Sequence, residues 1–268
     1  PGILIKDQFL LPFYQSVNAA IREVDQETII FYEYPLTDYL LRSFHGTPGG
    51  PEYADRQILS FHVYGLPEGD PTDAFATDFA CGFLYDRSIN FMKSENIAGF
   101  LTEFGAISGQ TSPGLQNIQY VLNKADENLH SWAYWQFKYY EDYTTAARPS
   151  KWEGFYDDQG NLIKAKVAEM ARPFIQKSSL KIVSMKFEPL LKEFHATLTK
   201  TANSPSTHVE LYINEEFHFT DGVTCKLGKC PGCRFGRVLG ESKHRFFLDH
   251  TASPQGELKI SCFQIRSI

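Results

Sequence analysis

The chain has 268 residues, 43% of them hydrophobic and 22% charged, which is globular composition and enough length for one large domain or two smaller ones. A net charge of -6 argues against a nucleic-acid partner held by phosphate neutralisation. No stretch approaches the roughly 18 to 20 consecutive apolar residues of a membrane span, and no signal peptide opens the chain. The first residue is Pro1 rather than Met, so the sequence reads as a piece of something longer.

In chain order, residues 9–25 place Leu10, Phe13, Tyr14, Val17, Ile21 and Val24 on one stripe at helical spacing. The run Glu27 to Phe31 then predicts a short strand that leads into Glu33-Tyr34-Pro35. A Gly- and Pro-rich loop precedes a second strand, Gln57 to Val63, and residues 74–94 form a looser helix before a third strand, Ile97 to Leu101. Ser112-Pro113 opens a helix with Leu115, Ile118, Leu122 and Ala125 facing inward, the proline sitting where its missing N–H costs nothing. A fourth strand, Ser131 to Phe137, precedes a polar and aromatic excursion over residues 139–160, and a last helix runs from Asn161 to Pro173.

Strands alternating with helices are the repeat of a parallel α/β barrel, which closes with about eight strands, so four units make half of one. Beyond residue 176 the pattern changes. Phe194, Ala196 and Leu198 alternate with polar residues, as do Val209, Leu211 and Ile213, and Leu258, Ile260 and Cys262. Short alternating strands between Pro, Gly, Asn and Asp turns predict an antiparallel β-sandwich. The expected organisation is therefore α/β: the second half of a (β/α)8 TIM barrel over residues 1–176, then a β-sandwich domain over 180–268.

The candidate chemistry lies at strand ends. In IAGFLTEFGA an apolar strand delivers Glu103 just before a glycine that reads as a turn, while the preceding strand ends in His62-Val63-Tyr64 and the following one carries Trp132, Tyr134 and Trp135. Strand C-termini converge on the face where such barrels do chemistry. A carboxylate, an imidazole, a phenol and an indole together suit a sugar, which needs an acid or nucleophile at its acetal carbon and a flat apolar ring under its C–H face. Trp132, alternating with Tyr134, reads as packing. Glu33 reads as a rim carboxylate, a substrate contact or, least of all, an acid. Asp70, Asp73 and Asp78 alternate with Pro and Thr and read as caps in a solvated loop. Tyr139, Tyr140 and Tyr143 fit either a lid or a lipid contact. Of the 5 cysteines, Cys225, Cys230 and Cys233 in CKLGKCPGC suit a disulfide ahead of free thiols, and both ahead of a metal; the odd total leaves one thiol over, with Cys81 the first candidate.

Taken together, SFHVY, LTEFGA, SWAYWQFK and GFYDDQGNLIKAKVAEMARPF resemble the C-terminal half of a family 5 glycoside hydrolase, most closely an endoglycoceramidase. The resemblance implies a barrel followed by a β-sandwich and retaining cleavage of the β-glycosidic bond between oligosaccharide and ceramide in glycosphingolipids. It implies no metal or organic cofactor, contact with a membrane surface, and a secreted or lysosome-like location. By resemblance Glu103 is the catalytic nucleophile, His62 and Tyr64 line the site with Tyr64 holding the nucleophile, Trp135 lies under the sugar, and Lys138 and Glu33 touch sugar hydroxyls at the rim. The family's Asn-Glu-Pro acid/base motif does not occur in these residues, so that glutamate is expected ahead of Pro1 and the isolated piece is expected to be impaired. Two rivals are another family 5 β-glycosidase acting on soluble glucans or steryl glucosides, and a non-catalytic carbohydrate- or lipid-binding protein.

Overall fold

A computed structural model describes residues 6–34, 46–64, 74–138 without 106, 108, 110 and 111, 154–157, 159–203, and 208–265 without 229, 231, 239 and 241; side chains are described from residue 8, and not over 74–80. Two compact units emerge, the first holding residues 1–121 and 130–161, the second residues 122–129 and 162–268. Among the described residues no helix is long and apolar enough to cross a membrane.

The first unit is built on a parallel sheet in the order β1 (Ile30–Glu33), β2 (Gln57–Val63), β3 (Ala98–Gly105) and β4 (Ser131–Trp135). Helices α1 (Leu11–Arg22), α2 (Ala74–Glu95) and α3 (Ser112–Asn128) alternate with the strands. One face of the sheet packs on helices. Leu59, Phe61, Leu101 and Phe104 are wholly buried there, Phe61 meets Tyr85 of α2 edge-on at 5.3 Å, and Tyr34 meets Phe91 at 5.7 Å while its hydroxyl pairs with Ser88 Oγ at 3.1 Å.

Four elements of this unit depart from the sequence reading, among them β4, which ends at Trp135 rather than Phe137. In α1 the buried residues are Leu11, Asn18 and Arg22, whereas Phe13 is 60% exposed and Val24, just past the helix, 88%. The Arg22 guanidinium explains the rotation, because its two terminal nitrogens donate to the backbone carbonyls of Asp25, Thr28 and Arg56 at 3.2, 2.8 and 2.9 Å and so find partners while buried. β1 starts at Ile30 rather than Glu27, since Asp25 Oδ1 accepts the N–H groups of Glu27 and Thr28, both at 2.9 Å, and holds those residues in a turn. β3 runs on to Gly105, which places Glu103 inside the strand.

The second unit contains the short helix α4 (Lys164–Met170) and two antiparallel sheets. One sheet has the order β10 (Arg234–Arg237), β11 (Arg245–Asp249), β8 (His208–Tyr212), β5 (Phe174–Lys177), and the other β6 (Lys181–Glu188), β7 (Glu193–Lys200), β12 (Gly256–Gln264), β9 (Val223–Leu227). Phe187, Phe194, Leu198, Leu211, Ile213, Phe219, Leu258 and Ile260 form their shared core, as the alternating pattern predicts. Antiparallel pairing begins before residue 180, because β5 already pairs with β8. Disulfides join Cys225 on β9 to Cys262 on β12, and Cys230 to Cys233. Cys81 keeps a buried thiol that donates to Asn117 Oδ1 at 3.6 Å.

Candidate active site

The sheet's other face carries the polar residues of β2, Ser60 and His62, with Tyr64 just beyond the strand end. These positions, two apart, share a face because successive side chains in a strand alternate. β3 meets them through an irregularity. Phe61 pairs with Leu101 but His62 with Glu103, and on the other side Leu101 pairs with Trp132 but Phe104 with Tyr134. Thr102 is thus one extra residue in β3, a β-bulge. Its effect is that two successive side chains reach the same face: Thr102 Oγ1 lies 2.6 Å from Ser60 Oγ, and Glu103 reaches His62 and Tyr64.

Glu103 Oε2 accepts a hydrogen bond from the Tyr64 hydroxyl at 2.8 Å and lies 3.3 Å from His62 Nδ1. The opposite ring nitrogen, His62 Nε2, is 3.4 Å from Glu33 Oε1 at the end of β1. One imidazole therefore stands between two carboxyls. Burial, and then the Glu103 carboxylate, push Glu33 up to about 7, while burial pulls His62 below the ordinary imidazole range against the opposing pull of Glu103. Behind Glu33 the Tyr14 hydroxyl of α1 donates to the Glu33 main-chain carbonyl at 2.8 Å.

Glu33, His62, Tyr64 and Glu103 are thus brought together at the C-terminal edge of the sheet. Trp135 ends β4 and pairs with Gly105, half-buried, and its peptide bond to Gln136 is cis. Lys138 is exposed on the segment that follows. Trp132 packs edge-on against Phe104 at 5.7 Å. Gly105 is not a turn: a β-carbon there would fall 1.7 Å from the Trp135 carbonyl oxygen, so the glycine permits β4 to approach. The expected roles of Asp70, Asp73, Tyr139, Tyr140 and Tyr143 lie outside the described residues, as does the side chain of Asp78. The sequence marks Tyr14 only as part of a helical stripe and Thr102 not at all, since a support on a main-chain carbonyl and a bulge leave no residue-type signature. Among the described residues no cluster of His, Cys, Asp or Glu is arranged to hold a metal ion.

Residues 7–141 match the family described as Cellulase (glycosyl hydrolase family 5). The chain belongs to that family. Over 222 residues, 83% of this chain and 42% of the relative, it is 27% identical to an endoglycoceramidase of Cyanea nozakii. Over 240 residues, 90% of this chain and again 42% of the relative, it is 24% identical to an endoglycoceramidase of Hydra vulgaris. A solved structure of endo-glycoceramidase II from Rhodococcus sp. in complex with ganglioside GM3 superposes with a TM-score of 0.76 at 18% identity, covering 99% of this chain and 56% of that one. That likeness establishes the fold: the second half of a TIM barrel followed by a β-sandwich. The chain spans about 42% of the length of the curated relatives it matches.

Proposed function

We propose that these residues form the nucleophile half of a retaining glycoside hydrolase that cleaves the β-glycosidic bond between oligosaccharide and ceramide in glycosphingolipids, with Glu103 as nucleophile. The observation that carries the reading is the hydrogen bond from Tyr64 to Glu103 Oε2 at 2.8 Å, at a strand C-terminus of a family 5 sheet. A carboxylate held on one oxygen by a phenol is aimed through the other, which can attack the anomeric carbon. As the ester bond forms, the bond to the leaving oxygen breaks and that oxygen takes a proton from a second carboxyl, about 5 to 5.5 Å from the first. The same group then removes a proton from the water that hydrolyses the ester. We assign that acid to protein outside these residues, because Glu33 directs its carboxyl to the far nitrogen of His62. Trp135 serves as the platform under the sugar, and Lys138 contacts its hydroxyls from the rim. The ceramide leaving group follows from the likeness to the Cyanea and Hydra endoglycoceramidases. Two disulfides fit an oxidising location, secreted or lysosome-like.

The test is to treat the full-length protein with a 2-deoxy-2-fluoro glycosyl fluoride and map the ester by peptide mass spectrometry. Attachment to Glu103 is the expected result; attachment elsewhere, or none, refutes the assignment. Hydrolysis of a ganglioside in preference to a steryl glucoside and a cellulose oligomer identifies the leaving group.

A further inference from the structure

The four-residue turn between β6 and β7 is apolar where turns are ordinarily polar. It reads Pro189-Leu190-Leu191-Lys192, is closed by a hydrogen bond from the Lys192 N–H to the Pro189 carbonyl at 3.3 Å, and leaves Leu190 99% and Leu191 67% exposed. Beside it a cleft of about 520 Å³ opens on the outer face of the sheet β6-β7-β12-β9, with Leu191 and Lys192 in its wall. We propose that turn and cleft together dock the protein on a bilayer surface that carries anionic lipids: Leu190 and Leu191 enter the acyl boundary, and Lys192 and Lys226 receive the headgroup phosphates. The inference stands on the second unit alone and does not depend on the reading of Glu103.

The cleft follows from strand alternation. Phe194, Val223, Cys225 and Cys262 face the core, so Glu193, Thr224, Lys226 and Phe263 face outward. The register sets Phe263 between Glu193 and Thr224, and in the next outward row Ser261 between His195 and Lys226. The charged groups differ in how they are engaged. Glu193 Oε2 lies 3.1 Å from His195 Nε2, and Asp221 accepts from the Gln264 amide, whereas among the described residues the ammonium groups of Lys192 and Lys226 have neither a hydrogen bond nor an ion pair. Both acids keep their charge, so the attraction for an anion is a contact at the two lysines rather than a field of long range. Around those lysines the surface is apolar, with Phe263, Leu191 and the 46% exposed Ile265.

The occupant must therefore be apolar at the tip and anionic just behind it. A bilayer presents that order, since an interfacial element buries its apolar side about 5 to 10 Å into the boundary between headgroups and acyl chains while its cations stay among the headgroups. A protruding turn can do this without a spanning segment. A protein partner fits less well. Stable interfaces bury about 800 Å² on each side, and three aliphatic side chains on and beside a narrow turn fall well short of that.

The test is co-flotation of the full-length protein with vesicles of phosphatidylcholine, alone or in equimolar mixture with phosphatidylserine. Neither lipid carries a glycan, so sugar recognition contributes nothing. The wild-type protein should float with both, partitioning about fivefold more strongly into the mixed vesicles at low salt and losing that preference at high salt. Changing Leu190→Ser and Leu191→Ser together should lower partition into either vesicle by at least about tenfold, with an unchanged melting temperature because both side chains are exposed. Changing Lys192→Gln and Lys226→Gln together should abolish the preference for phosphatidylserine. A wild-type protein that floats with neither vesicle, a leucine variant that floats like the wild type, or a lysine variant that keeps the full preference would each overturn the proposal. So would self-association in place of vesicle binding, lost in the leucine variant, which would assign the tip to a second copy of the protein. Should the double leucine change lower the melting temperature, Leu190→Ser alone, at the most exposed position, decides.

Discussion

Replacing Gly105 by alanine tests how closely the strand carrying Glu103 must lie to the strand carrying Trp135. A β-carbon at 105 would stand 1.7 Å from the Trp135 carbonyl oxygen, 2.8 Å from its carbonyl carbon and 3.3 Å from its Cα. Non-bonded heavy atoms need about 3 Å, so the strands must part by roughly 1.3 Å, and the obstacle is backbone rather than a side chain that could swing away. A displacement of about 1 Å at a catalytic site costs about a hundredfold in rate, which sets the expected fall in kcat/KM. Forcing a methylene-sized group into a packed region costs roughly 1 to 3 kcal/mol of stability, so the variant should fold and melt a few degrees early. Gly99, on the same strand, is the control. A β-carbon there meets the Met92 sulfur at 2.0 Å, the flexible end of a side chain carried by α2 on the helix side of the sheet. Gly99→Ala should therefore lose stability while keeping kcat/KM within about threefold. Both variants are measured in the full-length protein with a fluorogenic β-glycoside and a thermal melt. A Gly105→Ala protein with unchanged kcat/KM, or a Gly99→Ala protein equally impaired, would refute the claim that close approach of β3 and β4 positions the site.

Tyr64→Phe removes the hydroxyl that donates to Glu103 Oε2 at 2.8 Å. Hydrogen bonds to charged groups are worth about 1.5 to 3 kcal/mol, so kcat should fall roughly ten- to a hundredfold with KM little changed; an unaltered rate of labelling by a glycosyl fluoride would count against the contact. In the second unit Arg172 and Asp126 form an ion pair at 2.8 Å with 4% and 8% side-chain exposure, and Arg172 also donates to Asn123 Oδ1 at 2.6 Å. Arg172→Met should destabilise that unit by about 3 to 5 kcal/mol by stranding the Asp126 carboxylate, and adding Asp126→Leu should recover most of it. Denaturant unfolding checks this, and simple additivity of the two losses would show that the pair is not coupled.

The elements legible in the sequence are those whose burial follows from residue type. β2 was readable to its ends because Leu59, Phe61 and Val63 go to the helices while Ser60, His62 and Tyr64 go to the other face. α2, at Ala74–Glu95, matched its expected extent, though its amphipathic stripe is weak. The buried face of α1 departs from its apolar stripe because Asn18 and Arg22 are interior polar groups, and Arg22 is held by carbonyls of Asp25, Thr28 and Arg56, the last 34 residues away, whose approach no local pattern reveals. The partner of Cys225 was equally hidden: Cys262 lies 37 residues away and arrives only through the β9–β12 pairing. At the site, Glu103, His62 and Tyr64 were legible because strand ends in a parallel α/β sheet converge. The engagement of Glu33 with His62 was not, since it depends on the register that sets Glu33 beside Ser60 across adjacent strands.

The bulge at Thr102 shows how composition can force a departure from regular geometry. In a strand of period two, Glu103 would share a face with Leu101, and Phe104 would join Thr102 on the other. Leu101 and Phe104 are both wholly buried, and the spacing between them is three, which no regular strand can place on one face. Without the extra residue, one of two penalties follows. Either Glu103 enters the apolar layer beneath α2, where an unpaired carboxylate costs several kcal/mol, or Phe104 leaves its contacts with Trp132 and Tyr134 at 5.7 and 5.3 Å. Unpairing Thr102 from β2 avoids both. The hydroxyl of Thr102 then finds Ser60 at 2.6 Å, so the bulged residue does not leave its polar group unsatisfied. Packing on the helix side and the presentation of Glu103 beside His62 and Tyr64 on the other are thus met by one local distortion, and the Leu-x-x-Phe spacing around a glutamate near a strand end is the sequence trace it leaves.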